Sequence, residues 1–157
     1  MTPTKIQPPT RWTPNVTVAT VIERGGAFLL VQEYDPQRKM IVLNQPAGHL
    51  EPDENLCDAA VREVLEETRW RVTLTAYLGV SLYQAENGIS YLRHSFSASP
   101  DQELTERELD LAIDSTIWLT AAEVREQESR WRSPLVMRDI DRYLCGLSAP
   151  LALACHQ

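Results

Sequence analysis

Apolar residues recur along this chain in short runs separated by polar turns, and the pattern predicts mostly strands. Several of these runs are rich in β-branched residues, which favour a pleated sheet. The six predicted strands cover residues 16–22, 27–32, 41–43, 72–83, 89–97 and 115–119. Arg24-Gly25-Gly26 and Glu86-Asn87-Gly88 are typical of hairpin turns, and Gly79 predicts a bend in the long fourth strand. The polar segments 34–39 and 99–108 are expected to be loops.

Three stretches carry helix signals instead. The first helix is predicted over residues 56–68, with Asn55 as its N-cap. The second is expected to begin after Thr120, and the third to open at Ser133-Pro134 and end near Leu144. Strands, a helix, more strands and then helices predict an α/β fold, an α/β/α sandwich with a mixed β-sheet.

The same pattern divides the chain into three parts. Residues 1–14 are rich in Pro and Thr and are expected to be a flexible lead-in, without the apolar core of a secretory signal. Residues 15–147 are predicted to form a single domain, and residues 148–157 a C-terminal tail.

Composition narrows the classes of function. The chain has 157 residues and a formal net charge of −7, which argues against binding to nucleic-acid polymers or anionic membranes. No apolar run approaches the roughly 20 residues that a membrane helix needs. Cys57, Cys145 and Cys155 show no CxxC spacing, so they are expected to be reduced thiols of a cytoplasmic protein, with no zinc site.

The first predicted helix carries an unusual cluster of acids. Glu63, Glu66 and Glu67 are spaced i, i+3 and i+4, so they share one face, where like charges destabilise a helix. The cluster is either a solvated acidic face or a site for a divalent cation. Glu63 and Glu67 lie at the border of the apolar stripe, where carboxylates are unfavourable unless they are paired or bound to metal.

The spacing around this helix resembles the signature of the Nudix hydrolase superfamily. Gly48 is followed after five residues by Glu54, and after seven more by Arg62-Glu63-Val64-Leu65-Glu66-Glu67. The sequence departs from that signature once, because Arg69 stands where the family has glycine. The glycine position lies just past the helix end, where a left-handed backbone is common, so we expect altered loop geometry rather than lost chemistry.

The resemblance implies a Nudix-type sandwich and a magnesium- or manganese-dependent hydrolase. It implies that Glu63 and Glu67 bind Mg²⁺ or Mn²⁺ together with the Gly48 carbonyl, and that Glu66 is a further ligand or the general base. Arg62 is expected to pair with Glu54 and fix the loop on the helix.

Outside the signature, short segments resemble the NudJ-type phosphatases of this superfamily. They are Val16-Thr17-Val18-Ala19, the residues from Asn44 to Glu51, Leu92-Arg93, and Arg132-Ser133-Pro134-Leu135-Val136. This branch removes terminal phosphate from nucleoside di- and triphosphates and from thiamine-pathway pyrophosphates. The resemblance therefore implies a small-molecule pyrophosphate substrate.

Four residues are candidates for contact with that substrate, each with a structural alternative. Arg93 could hold a phosphate with its planar fork or be an ordinary exposed strand arginine. His49 could contact phosphate or order the loop. Gln45 and Asn44 could recognise a base edge or cap the loop. Tyr83 and Tyr91 are expected to serve packing rather than base stacking.

Two other functions are consistent with the same residues. One is an ADP-ribose or dinucleoside-polyphosphate pyrophosphatase, which would cleave an internal bond. The other is a catalytically silent nucleotide sensor, which the intact acids Glu63, Glu66 and Glu67 disfavour. The sequence leaves open whether the protein is a monomer or a homodimer.

Overall fold

Seven strands form one mixed sheet in the computed structural model, which describes residues 11–155. They are β1 (Asn15–Arg24), β2 (Ala27–Asp35), β3 (Met40–Asn44), β4 (Ala47–His49), β5 (Trp70–Gln84), β6 (Ser90–Glu103) and β7 (Ile113–Thr120). The central order is β3-β2-β1-β6-β5, with β4 beside β1 and β7 beside β2. The β1–β6 pair is parallel and the other pairs are antiparallel, as a mixed sheet requires.

Three α-helices cover the sheet: α1 (Leu56–Thr68), α2 (Ala121–Glu126) and α3 (Leu135–Leu144). The predicted bounds of α1 are confirmed, and Asn55 caps it by accepting a hydrogen bond from the Asp58 N–H at 2.9 Å. Thr120 caps α2 as predicted. The third helix begins at Leu135, one residue later than expected, and the Ser133 hydroxyl accepts from the Leu135 N–H at 3.3 Å.

The helices bury apolar side chains against opposite faces of the sheet, because successive strand residues point to opposite sides. The core under α2 and α3 contains Val21, Phe28, Leu30, Leu43, Leu78, Leu119, Val124, Val136, Met137 and Ile140. Two smaller clusters on the other side include Val18, Ile22, Leu29, Ala59, Ala60, Val64 and Phe96. The predicted α/β/α sandwich is therefore confirmed.

The central strand β1 has two different neighbours along one edge. Thr17–Ala19 pair with β4, whereas β2 pairs with β1 only at Glu23 and Arg24. The short strand β4 thus lies beside the first half of β1, directly before the loop that leads to α1. This pairing fixes Gly48, the middle residue of β4, beside Val18 of the central strand.

Two predicted loops are wrong in part. Strand β6 continues to Glu103, because Trp70 and Arg71 directly after α1 offer it a partner strand. Pro100 is accommodated where the register shifts between Arg71 and Val72, a bulge that removes the need for a proline N–H. Strand β2 likewise continues through Tyr34 and Asp35, so the predicted loop shortens to residues 36–39.

The expectation of three reduced thiols is also corrected. Cys57 in the first turn of α1 and Cys155 form a disulfide, with their Cα atoms 5.6 Å apart, a normal separation for such a bond. The two residues are 98 apart in sequence, so their spacing gave no indication of the pairing. Cys145 is a free, exposed thiol.

The segment after α3 packs back onto the domain. Ala149 exchanges two backbone hydrogen bonds with Tyr77, each 2.9 Å long, and a short 3₁₀ turn follows at Leu151–Leu153. The domain boundary placed at residue 147 stays a prediction. The predicted flexible lead-in lies outside the described residues up to position 10, and residues 11–14 form no regular structure. None of the helices within residues 11–155 is long and apolar enough to cross a membrane.

Candidate active site

Gly48, the middle residue of β4, lies very close to the middle of α1. A Cβ atom at position 48 would overlap the Glu63 carboxylate, so only glycine fits there with this arrangement. The Glu63 carboxylate therefore packs on the backbone of Gly48, which is fixed because β4 pairs Gly48 with Val18 of β1. The structure therefore brings together Gly48 and Glu63, two of the predicted metal ligands.

Arg62 joins the loop to the acid cluster. Its guanidinium donates to Glu54 at 2.8 and 3.0 Å and to the His49 carbonyl at 3.0 Å. It also contacts Glu63 at 2.8 Å and Glu66 at 3.2 Å. The hydrogen bonds from Arg62 lower the pKa of Glu54, which keeps that carboxylate ionised. Arg62 and Glu54 thus pair as expected, and the arginine is also a counter-charge to the cluster.

Glu67 occupies the most enclosed position of the three acids. Its Oε2 atom accepts a hydrogen bond from the Ala47 N–H at 2.9 Å, directly before Gly48. Burial raises its pKa to about 8, the Ala47 hydrogen bond opposes that shift, and Glu63, Glu33 and Asp110 add to it. Without a further positive charge, Glu67 is therefore mostly protonated at neutral pH.

The other two acids differ in environment. Burial raises the pKa of Glu63, and the hydrogen bond and charge of Arg62 oppose the shift. Its side chain is 12% exposed, whereas that of Glu66 is 38% exposed. The cluster therefore contains two enclosed carboxylates beside the Gly48 loop and one that reaches solvent.

The donor set suits a hard divalent cation, although it is not a ready-made cage. Carboxylate oxygens and a loop carbonyl are the ligands that Mg²⁺ and Mn²⁺ prefer. Within residues 11–155, no three His, Cys, Asp or Glu side chains are gathered closely enough to hold a metal ion as they stand. Arg62 holds Glu63 and Glu66, and Glu67 faces the Ala47 N–H. Binding of a cation would therefore require these carboxylates to turn towards it.

The end of α1 has the backbone that the signature glycine would have. Arg69 is left-handed, with φ 64° and ψ 9°, and its N–H donates to the Leu65 carbonyl at 3.1 Å. Its side chain makes a 3.4 Å contact with Glu103, and its carbonyl accepts from the Leu104 N–H at 2.8 Å. The altered geometry expected here is therefore not found at Arg69, whose backbone is left-handed in spite of its Cβ atom.

A cleft of about 780 Å³ opens beside the acid cluster. Strand β4 forms part of its wall, with the β5–β6 hairpin and the start of α3 on other sides. Of the four predicted substrate-binding residues, Asn44, His49 and Arg93 line it. A second depression of about 820 Å³ lies over α3, and none of the predicted site residues lines it.

The floor of the cleft is a buried polar network rather than a free arginine. Arg93 donates to Gln45 Oε1 at 2.7 Å and to Asn44 Oδ1 at 3.4 Å. Its Nε atom lies 3.1 Å from Asp139, an ion pair without good hydrogen-bond alignment. Burial lowers the pKa of Arg93, and the charge of Asp139 opposes this. Gln45 also donates to the Val136 carbonyl at 2.6 Å, so α3 holds both residues.

The exposed strand arginine considered as the alternative for Arg93 is therefore wrong, since its side chain is only 7% exposed. His49 has its ring 6.3 Å from that of Tyr91, at the edge of the cleft. Tyr83 also lines the cleft, so both tyrosines face the space that a substrate would occupy.

Sequence reasoning missed several charged residues of this region. Asp139 is completely buried and also binds the Ser95 hydroxyl at 2.8 Å and Arg142 at 3.4 Å. Glu33 and Asp110 lie close enough to Glu67 to raise its pKa. The positions of Glu33 and Asp110 beside Glu67 depend on how distant segments pack, so no local pattern indicated them. Asp139 did carry one signal, because an acid on the apolar face of a helix needs a partner.

Comparison with known proteins identifies the family. A family model described as the NUDIX domain matches residues 11–139. The chain therefore belongs to the NUDIX family and is a Nudix hydrolase, an enzyme that acts on small-molecule substrates.

Individual relatives point to one branch. The chain is 37% identical over 140 residues to Phosphatase NudJ of Escherichia coli, and the matched region covers 89% of this chain and 90% of that protein. A solved NUDIX hydrolase from Nitrosomonas europaea is 40% identical, with a TM-score of 0.88 over 92% of this chain and 98% of that one. The fold is shared by a MutT protein from Methanosarcina mazei, which is 19% identical and has a TM-score of 0.68 over 87% of this chain and 98% of that one. The chain is thus a homologue of a NudJ phosphatase.

Proposed function

We propose that this protein removes the terminal phosphate from nucleoside di- and triphosphates or from thiamine-type pyrophosphates, with Mg²⁺ or Mn²⁺ as cofactor. The observation that carries the proposal is the position of the acid cluster. Glu67 accepts a hydrogen bond from the Ala47 N–H, the Glu63 carboxylate packs against Gly48, and both of these β4 residues form part of the wall of the cleft. The similarity to Phosphatase NudJ supports terminal cleavage over cleavage of an internal bond.

The acids divide naturally between two tasks. Glu63 and Glu67, enclosed beside Gly48, are suited to hold the cation together with the Gly48 carbonyl. A bound divalent ion would neutralise phosphate oxygens and lower the pKa of water. Glu66 is the more exposed acid, and it serves either as a further ligand or as the base that accepts the proton of the attacking water. Arg62 and Glu54 keep the loop on the helix.

The cleft supplies the binding surface. Arg93 uses one N–H of each terminal nitrogen within the floor network, which leaves the second N–H of each for a phosphate oxygen. Asn44 and Gln45 orient that guanidinium through their side-chain oxygens. His49, the last residue of β4, lines the same cleft, which supports a contact with the phosphate chain. Fixed positions of this kind matter in phosphoryl transfer, where catalysis is mostly positioning and electrostatics.

Product analysis tests the proposal. The purified protein is incubated with Mg²⁺ and ADP, ATP, a thiamine-type diphosphate or ADP-ribose, and the products are identified. We expect orthophosphate, with AMP from ADP and a monophosphate from the thiamine-type compound. A Glu67→Gln variant is the inactive control, and exposed Glu126→Gln is the matched active one. Cleavage of ADP-ribose to AMP and ribose phosphate, with the other compounds untouched, would support an internal-bond pyrophosphatase instead.

We also propose that the enzyme works in the cytoplasm, where phosphorylated nucleotides and thiamine-type cofactors are found. In that compartment thiols are kept reduced. The Cys57–Cys155 bond would therefore form only when conditions become oxidising.

A further inference from the structure

Arg132 is held at the edge of the cleft by its backbone and not by its side chain. Its N–H donates to the Leu43 carbonyl at 2.8 Å, and the preceding Trp131 forms a parallel bridge with Leu43. The Cα atom is therefore tied to strand β3. The side chain is 43% exposed and lines the cleft.

The ion pairs of this arginine are loose. Its Nη1 atom lies 3.4 Å from Asp35 Oδ2, and its Nε atom lies 3.9 Å from Glu33 Oε1. Both distances exceed those of a good charge-assisted hydrogen bond, which is shorter than 3 Å. The carboxylates of Asp35 and Glu33 line the same cleft, so Arg132 rests against two anions inside the space for an anionic substrate.

The other arginines that line the described cleft are more firmly committed. Arg38 donates to the backbone carbonyls of Trp131 and Ser129, which fastens the β2–β3 turn to the segment before α3. Arg93 lies in the buried floor network. Arg132 differs from both because its only side-chain partners among the described residues are two carboxylates at 3.4 and 3.9 Å. The planar fork of a guanidinium can bind two oxygens of a phosphate as well as those of a carboxylate.

We propose that Arg132 is a substrate-binding residue that exchanges its resting contact with Asp35 for the phosphate groups of a pyrophosphate. This inference rests on the proposed function for the class of ligand. Without substrate the Arg132 guanidinium contacts the Asp35 carboxylate, and in the complex a phosphate group takes the place of that carboxylate. Asp35 then acts as an internal competitor that weakens binding of every anion at this position.

Asp35 is built to remain in place when Arg132 leaves it. Its Oδ1 atom accepts from the N–H groups of Gln37 and Arg38, at 2.9 and 3.1 Å, and so holds the turn. Only Oδ2 faces Arg132. Burial alone would raise the pKa of Asp35, but these two hydrogen bonds and the arginine charges outweigh it and lower the pKa. The competitor is thus always charged at neutral pH.

This division of the carboxylate allows a specific test. Asp35→Asn keeps the Oδ1 acceptor of the turn and replaces the oxygen that faces Arg132 with an amide. Binding of imidodiphosphate, a non-hydrolysable pyrophosphate analogue, is measured by calorimetry in Mg²⁺ for wild type, Asp35→Asn, Arg132→Ala and the double variant. Arg138→Ala is the matched control, because Arg138 is an exposed residue of α3 outside the cleft and its substitution removes the same charge.

We expect opposite signs for the two single variants. Arg132→Ala should weaken binding by about tenfold or more, the loss of one charge-assisted contact, while Arg138→Ala should not. Asp35→Asn should bind more tightly than wild type, and this gain should vanish in the Arg132→Ala background. A purely structural pair would instead make both single variants weaker binders.

Two results would overturn the inference. One is unchanged affinity in Arg132→Ala, and the other is a gain from Asp35→Asn that persists without Arg132. Neither depends on turnover, because the probe is not hydrolysed. If product analysis finds no cleavage but Arg132→Ala still loses affinity, the anion site survives and the proposed function fails. If cleavage occurs and Arg132→Ala binds normally, the inference fails by itself.

Discussion

The enclosed carboxylate of Glu67 leads to a prediction about stability as well as activity. The Glu67→Gln variant keeps an oxygen for the Ala47 N–H, which Glu67 accepts at 2.9 Å, but it cannot ionise. In metal-free buffer we expect this variant to be more stable than wild type at pH 7. With metal present we expect it to lose turnover by orders of magnitude, because a charged ligand is gone.

The size of the stability change follows from linkage. The pKa of Glu67 is about 8 in the folded protein, against 4.5 for an ordinary glutamate. The folded state therefore binds more protons than the unfolded chain between these values, and stability falls as pH rises from 4.5 to 8. At pH 7 the Glu67 carboxyl is ionised in the unfolded chain but mostly protonated in the folded protein. At 1.36 kcal/mol per pH unit, this difference lowers the stability of the wild type by about 3 kcal/mol. Partial solvent access reduces this to roughly 1–3 kcal/mol.

The assay is thermal or urea unfolding in EDTA from pH 5 to 8, with exposed Glu126→Gln as control. The advantage of Glu67→Gln should grow with pH, and at pH 7 its Tm should be higher by roughly 3–10 °C. A variant that is less stable than wild type throughout this range would refute the argument from burial. Near-wild-type activity of the variant at saturating Mg²⁺ would refute the assignment of Glu67 as a ligand.

Millimolar Mg²⁺ or Mn²⁺ should raise the Tm of wild type but not of Glu67→Gln, and chelator should reverse the rise; identical curves would argue against a cation site. Arg69→Gly should be tolerated or should stabilise the protein by up to about 1 kcal/mol in urea unfolding, whereas Arg69→Ala keeps the left-handed strain and should be the less stable variant. Equal unfolding free energies of the two variants would contradict this. Reductant should lower the Tm by on the order of 10 °C because it breaks the Cys57–Cys155 disulfide, and Cys57→Ser but not Cys145→Ser should abolish that response. An unchanged Tm in wild type would show that the disulfide does not form.

The sequence predicted what is encoded locally. Helix α1, its cap at Asn55 and the facing acids Glu63 and Glu67 all lie within the continuous segment 55–68, where spacing alone determines which side chains are neighbours. The Gly48 loop was located because its signature has fixed spacing to that helix. The left-handed backbone of Arg69 was not predicted, because a non-glycine residue at that position was expected to alter the loop geometry.

The floor of the cleft could not be predicted in this way. Arg93 of β6 and Asp139 of α3 meet only because the helix packs on the sheet, and nothing in either segment specifies the other. Alone, Arg93 on an alternating strand was equally consistent with an exposed position. The disulfide between Cys57 and Cys155 depends in the same way on the return of the last residues to α1. The end of β6 at Glu103 depended on a partner strand rather than on its own polar composition.

The connection between the floor and the acid cluster explains why the third helix matters to chemistry that occurs on the first. Gln45 donates to the Val136 carbonyl of α3 at 2.6 Å and accepts from Arg93 at 2.7 Å. Two residues later, the Ala47 N–H binds Glu67. Because the intervening chain is short and its N-terminal end is buried, a displacement of α3 must move the Ala47 N–H relative to α1. The geometry of the proposed cation site therefore depends on the packing of α3, although no residue of that helix is a predicted ligand.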